Sequence, residues 1–467
     1  MCVDITLTLF TILYSFKYQV QLLYPKPGFV EIDPDKLWTI IVDVIKNTLK
    51  ANIDLESIVG IGISTQRGSF TTWNSKDGKH YHNFITWKDL RADSIVKQWN
   101  SSLTLKGLRL GSYILHKILG EERFLLMSVF KFLNTQITLR LLWALQNVPG
   151  LQEAANDGNA LFGSIDCWLL YKLTGKHVTD ISNAAATGLF DPFLISWSDL
   201  LMNLLGIPRN MFPEVVDTSR NFGVIPKDIF GVEIPIFCSM ADQSASLFGS
   251  GCMQPGDLKI TLGTGTFMNV NSGRKLHASS TYFVSGIIDD LAETANIANS
   301  VNDSDGVYFI PAFSGLHIPI SDYKAAAGFI GIKPTTNKSH IIRSLLESIV
   351  FGIMQLFYVL SKETNFTRQK IRIDGGVSAN DFVLQLLADL TGLDVERATT
   401  TEMSILGVAF LAGLQCGVWK NREDIQKLRK TARIFHPNKE NMIHYQPIIA
   451  QWKQALERFG QWYSQDS

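Results

Sequence analysis

The sequence predicts an α/β protein of two domains with its active site at the carboxyl ends of strands. Helical and strand-like apolar patterns alternate along the chain, an order of elements that packs helices against a largely parallel sheet. At 467 residues the chain is too long for one core. Four short polar stretches each end an apolar run: Ser64-Thr65-Gln66-Arg67, Met240-Ala241-Asp242-Gln243, Gly263-Thr264-Gly265-Thr266 and Asp374-Gly375-Gly376-Val377. Backbone N–H groups and helix N-termini converge at such strand ends, which is where ligands bind in α/β proteins. A cation, a lone carboxylate and two glycine turns suit a hydroxyl, its base and a nucleoside triphosphate.

The elements follow in order. Residues 3–10 alternate Val3, Ile5, Leu7 and Leu9 with Asp4, Thr6 and Thr8 and read as a half-buried strand. The apolar stretch 1–16 is not read as a targeting segment, because no Lys or Arg precedes it, it carries Asp4, and it is too short to span a bilayer. Asp33 and Pro34 make an N-cap and N1 pair for a helix through Leu37, Ile40, Ile41, Val44, Ile45 and Leu49. Residues 58–63 read as a buried strand, 165–173 as an apolar helix stopped by Gly175, and 234–237 as a short strand running into Asp242. A hairpin is expected from residues 259–262 and 267–270 around the turn 263–266, where a second unit begins near Gly251. The expected domains are therefore 1–250 and 251–467. Residues 371–373 form a strand that breaks at Gly375-Gly376, followed by a helix through Phe382, Leu386, Leu387 and Leu390 that Gly392 ends. Beyond Lys420, the mixed charges of Glu423, Asp424, Lys427, Arg429, Lys430 and Arg433 read as a solvated helical end.

Composition narrows the function classes. A hydrophobic fraction of 46% and a charged fraction of 18% describe a globular chain. Formal net charge is zero, so the chain as a whole lacks the basic field that nucleic acid or an anionic membrane attracts, although a local patch hides in such an average. Cys2, Cys167, Cys238, Cys252 and Cys416 are odd in number and never form a CxxC pair, which predicts reduced thiols, a cytoplasmic protein and no Cys/His metal site. No GxxxxGK[ST] and no strand-borne GxGxxG occurs, which excludes a P-loop and disfavours a dinucleotide fold.

Asp242 follows a strand and opens a helix at 243–248, a setting that keeps a carboxylate ionised and able to accept a hydroxyl proton. A plain helix cap is the competing reading, outweighed by the company of Gln243 and the other three stretches. The turn 263–266 offers amides and hydroxyls to phosphate oxygens, or is an ordinary hairpin. Arg67 clamps a polyol or pairs a surface acid; Trp87 and Phe267 wall a small pocket or belong to the core.

Together these stretches resemble the FGGY carbohydrate kinases, and among them the glycerol kinases. The matching text includes Gly60-Ile61-Gly62-Ile63-Ser64-Thr65-Gln66-Arg67, residues 163–175 (GSIDCWLLYKLTG), residues 241–249 (ADQSASLFG), Leu262-Gly263-Thr264-Gly265-Thr266, Ile373-Asp374-Gly375-Gly376-Val377-Ser378-Ala379-Asn380 and Leu406-Gly407-Val408-Ala409, in family order. The resemblance implies an actin-like ATPase fold of two RNase H-like domains with a cleft between them. It also implies ATP and Mg²⁺ as cofactors and phosphorylation of glycerol to sn-glycerol 3-phosphate, or of a related small polyol. Asp242 would be the base; Gln66, Arg67, Trp87, Gln243 and Phe267 would surround the substrate. Thr264 and Gly265 would hold the phosphates, with Gly375, Gly376 and Asn380 on the adenosine side. No membrane span is expected, and a family-like dimer surface is one implied partner.

Three departures modify that expectation. Gly68 stands where glycerol kinases usually have Glu, and Thr135 falls where a substrate-contacting Tyr is expected. Nothing before Tyr24 resembles the family's first phosphate hairpin, so the N-terminal domain is expected to be incomplete, as in a truncated or alternatively spliced form. The stretch 273–307 is shorter than in the family and lacks its glycine-containing helix. The alternative is therefore a catalytically impaired kinase-fold protein that acts by binding; an actin- or chaperone-like ATPase ranks third.

Overall fold

In the computed structural model the described residues are 2–5, 10–50, 55–263, 266–273, 291–313, 315–316, 320, 322, 324–364, 368 and 370–463. They fall into two compact units, the first built from Met1–Ala245 with Ser404–Leu428, the second from the remainder of 246–403 with the chain from Arg429.

In the first unit a four-stranded antiparallel sheet runs in the order Glu31–Ile32, Phe84–Ile85, Phe70–Asn74, Ala160–Ser164. A three-stranded sheet orders Ser219–Ile225, Ile234–Ala241 and Ile61–Thr65, with the last two parallel. The helix Ile165–Thr174 buries Trp168, Leu169, Leu170 and Leu173 and ends at Gly175 in the left-handed conformation. Asp33 caps the helix Pro34–Leu49, its carboxylate accepting from the amides of Asp35 and Lys36. Helices Met403–Gln415 and Arg422–Leu428 return the chain to this unit from the far end of the sequence.

The second unit holds a five-stranded sheet in the order Thr266–Val270, Leu258–Leu262, Lys370–Asp374, Asp394–Ala398, Thr431–Phe435, parallel at its centre and antiparallel at both margins. Against it pack Asp381–Thr391, Lys439–Phe459 and the 26-residue helix Lys338–Glu363. That long helix is apolar enough to cross a membrane by length and composition. Its Leu346, Val350, Phe351 and Ile353 lie in the core, and its Arg343 and Glu347 close a buried hydrogen-bonded triad with Tyr445. It is therefore read as the core helix of the second unit.

Two expectations are corrected. Residues 3–10 are not one strand: Cys2–Ile5 pairs antiparallel with Phe10–Tyr14, and the two make a sheet of their own among the described residues. Alternation alone cannot tell one long strand from two strands paired with each other. The charged tail is a solvated helical end only in part. Arg422–Leu428 is helical, but Thr431–Phe435 is an edge strand whose neighbourhood is tied by Arg429 to Glu396 and by Arg433 to Asp381. The ion pair with Glu396 leaves the Arg429 side chain only 12% exposed, whereas Glu423, Lys427, Lys430 and Arg433 are exposed as expected.

Candidate active site

Parallel pairing sets the first half of the site. Ser64 lies opposite Met240 and Thr65 opposite Ala241, so residues 66–67 and 242–243 leave the same end of adjacent strands. Arg67 Nε stands 3.8 Å from Asp242 Oδ1, and the two side chains are 24% and 35% exposed, so a small molecule can reach both. Burial pushes the Arg67 guanidinium below its ordinary value, and the Asp242 charge works against that. Asp242 opens the helix Asp242–Gly249; its Oδ1 accepts from the Gln243 amide at 2.7 Å, and its carbonyl accepts from Ser404 Oγ at 3.1 Å. Two positive influences, the guanidinium and the helix N-terminus, thus meet at one carboxylate. Gln243 is buried in the first turn, and Gln66 is half-buried.

A polar network not singled out from sequence props up this strand end. Ser182 Oγ accepts from the Ala241 amide at 2.8 Å and donates to Asp180 Oδ2 at 2.6 Å. The same oxygen accepts from Thr218 Oγ1 at 2.8 Å, while Asn183 Nδ2 donates to Asp180 Oδ1 at 2.7 Å. Burial raises the Asp180 carboxyl above the usual carboxylate range, and its hydrogen bonds oppose the rise. The available signal was the polar run Thr179-Asp180-Ile181-Ser182-Asn183, an N-cap pattern on the short helix Ile181–Ala185.

Gly68 and Thr135, the two substituted positions around the expected polyol site, lie against each other. Gly68 has φ +72°, and a Cβ there would stand 2.8 Å from the Thr135 carbonyl oxygen and 3.3 Å from Trp87 Cβ. Arg140, fully buried, gathers the surrounding loops: its guanidinium donates to the carbonyls of Gly68 (2.8 Å), Thr135 (2.9 Å), Gln136 (3.2 Å), Ile85 (3.4 Å) and Thr86. Burial pushes it down to about 9. Trp87, half-buried, donates its amide to Ser69 Oγ at 3.2 Å. The loops that carry Gln66, Arg67 and Trp87 therefore hang on one side chain that sequence reading passed over.

In the second unit Thr264 and Gly265 lie outside the described residues. The strands flanking them, Leu258–Leu262 and Thr266–Val270, pair in register, and Phe267 sits half-buried opposite Thr261. Gly375 has φ +89°, and a Cβ there would fall 2.4 Å from the Leu262 carbonyl oxygen, so its turn packs backbone to backbone on the end of the strand Leu258–Leu262. Gly376 is exposed with nothing within 4 Å of its Cβ position. Asn380 is fully buried; its Oδ1 caps the helix Asp381–Thr391 through the Val383 amide at 3.1 Å, and its Nδ2 donates to Thr294 Oγ1 at 3.0 Å. Thr294 belongs to the helix Leu291–Asn299, which contains no glycine; residues 274–290 lie outside the described residues. Beneath the turns Lys259, fully buried, donates to Ser246 Oγ at 2.7 Å and stands 3.6 Å from Asp374, which Ser246 also reaches.

Among the described residues no three His, Cys, Asp or Glu side chains cluster as a metal cage. A Mg²⁺ carried on a triphosphate needs one or two carboxylates rather than a cage, and the partly exposed Asp242 carboxylate is of that donor type. Cys167, Cys238, Cys252 and Cys416 are free thiols.

Residues 11–249 match the N-terminal domain and residues 285–416 the C-terminal domain of the FGGY family of carbohydrate kinases. Glycerol kinase 5 of Danio rerio is 45% identical over 97% of this chain and 93% of that relative. Glycerol kinase 2 of Thermotoga maritima is 37% identical over 94% and 92%. A solved structure of Plasmodium falciparum glycerol kinase with ADP matches at TM-score 0.82 with 25% identity, covering 98% of this chain and 97% of that one. A shared two-unit architecture, the strand-end pair Arg67 and Asp242, and matches to both domains of one family lead to one conclusion: the chain belongs to the FGGY family of carbohydrate kinases.

Proposed function

We propose that the chain transfers the γ-phosphoryl group of ATP to a hydroxyl of glycerol, giving sn-glycerol 3-phosphate, or of a related small polyol. The carrying observation is the partly exposed Arg67–Asp242 pair at adjoining strand ends. Asp242 accepts the hydroxyl proton as the new O–P bond forms and the bond to the departing ADP oxygen breaks, in line. Arg67, Gln66, Trp87, Gln243 and Phe267 orient the polyol. Thr264 and Gly265 serve the phosphates. Gly375 and Gly376 lie on the adenosine side, with Asn380 fixing their turn. Mg²⁺ bound with ATP would neutralise phosphate charge. In this reading residues 1–250 carry substrate and base, 251–467 carry nucleotide, and the setting is the cytoplasm.

A second reading, a catalytically impaired binding protein, draws on the sequence around the paired strands Cys2–Ile5 and Phe10–Tyr14. Residues 2–14 contain no glycine to bring backbone amides close to a phosphate. Polyol-dependent ADP release with ATP·Mg²⁺, across glycerol, longer polyols and sugars, separates the two. Turnover with any acceptor supports the kinase, and its absence from a folded sample supports the binding protein.

A further inference from the structure

The helix Leu103–Leu119 turns an apolar face to solvent. Its covered side is Leu105 and Ser112, with Leu108, Arg109 and His116 beside them. On the opposite side Leu103, Leu110, Ile114 and Ile118 are 85%, 61%, 49% and 71% exposed, in line with Gly107. Positions 103, 107, 110, 114 and 118 share one helical face. Scattered exposed leucines need no explanation, but a continuous stripe along a 17-residue helix, about 25 Å long, does.

Charge indicates the occupant. No acidic residue occurs between Asp93 and Glu121, whereas Lys106 and Lys117 lie along one edge of the stripe with Tyr113 beside them, Lys117 Nζ 5.6 Å from its ring centroid. A second copy docked stripe to stripe would oppose lysines to lysines with no acid on the helix to pair them. A lipid surface answers both features: the stripe enters the acyl boundary, the lysines reach anionic headgroups along their stems, and tyrosine suits the interface. We propose that the helix Leu103–Leu119 docks the protein, apolar stripe inward, on membranes that carry anionic lipid. This attachment is independent of the kinase reading.

The test is co-sedimentation of the full chain with vesicles of phosphatidylcholine alone and of phosphatidylcholine with phosphatidylserine. The expected result is partition onto the anionic vesicles, reduced about fivefold by each of Lys106→Gln and Lys117→Gln, and lost in the Leu110→Asp, Ile114→Asp double variant. All of these sites are exposed, and unchanged circular dichroism melting confirms folding. Equal partition onto both vesicle types, or none onto either, overturns the proposal. So does light scattering that shows a dimer split by Leu110→Asp while no vesicle pellets the protein, because a second copy then covers the face.

Discussion

Arg67 Nε and Asp242 Oδ1 face each other at 3.8 Å, on segments 175 positions apart in sequence (242 − 67), because Thr65 and Ala241, the last residues of their parent strands, are paired. The separation is beyond hydrogen-bond range, yet close enough for the carboxylate to feel the cation. A carboxylate placed this way is anchored by its backbone: Ser404 holds the Asp242 carbonyl, and Ser182 holds the Ala241 amide just before it.

Restoring the family's acid at position 68 will not restore a glycerol site. Gly68 adopts φ +72°, and its Cβ position is 2.8 Å from the Thr135 carbonyl oxygen, so Gly68→Glu strains the loop that carries Gln66 and Arg67. Polyol kcat/KM should fall at least tenfold and the melting temperature should drop. A gain in glycerol turnover would show that the acid alone was missing.

Arg140→Met should strip donors from five carbonyls around the polyol loops. Unsatisfied buried groups cost roughly 1–3 kcal/mol each, so chemical unfolding should register a loss of several kcal/mol, with polyol KM rising before kcat falls. Arg140→Lys keeps the charge but not the fork and should lie between.

Gly375→Ala places a methyl 2.4 Å from the Leu262 carbonyl oxygen at a backbone angle unsuited to an L side chain. Titration calorimetry should show ATP affinity reduced at least tenfold, with polyol binding unchanged. Equal loss of both ligands would point to global unfolding instead.

Acid should act in two windows of opposite sign. Burial works against the Glu396 charge, but Thr431, Arg429 and Lys370 outweigh it and hold the carboxyl at about 2, below its usual 4.5. The stability this contributes, about 3 kcal/mol, is present above pH 4.5 and lost as pH falls towards 2. Burial, then the Asp180 charge, lifts Asp166 to about 6 from 3.8. Here the folded state binds the proton first, so stability rises as pH falls from 6 to 4. Melting curves from pH 7 to 3 should lose the rise in Asp166→Asn and flatten the fall in Glu396→Gln.

Legibility followed locality. The strand ends before Asp242 and Gly375 were readable because each residue follows directly on a strand-like run. Arg140 was not, since it sits among leucines in Thr138–Asn147 and its partners at Gly68 and Thr86 lie far away in sequence. The same holds for Glu396, whose cations come from another strand and from the charged tail. Local pattern reports which face a residue occupies; it carries no record of which distant carbonyl or carboxylate waits there.

The most direct test compares the wild-type chain with Asp242→Asn in ADP release with ATP·Mg²⁺ and saturating polyol, with ATP affinity measured alongside. The account predicts kcat lower by about 10²–10⁴ in the variant while ATP binding stays within a few-fold. Wild-type turnover that survives Asp242→Asn undiminished would contradict it.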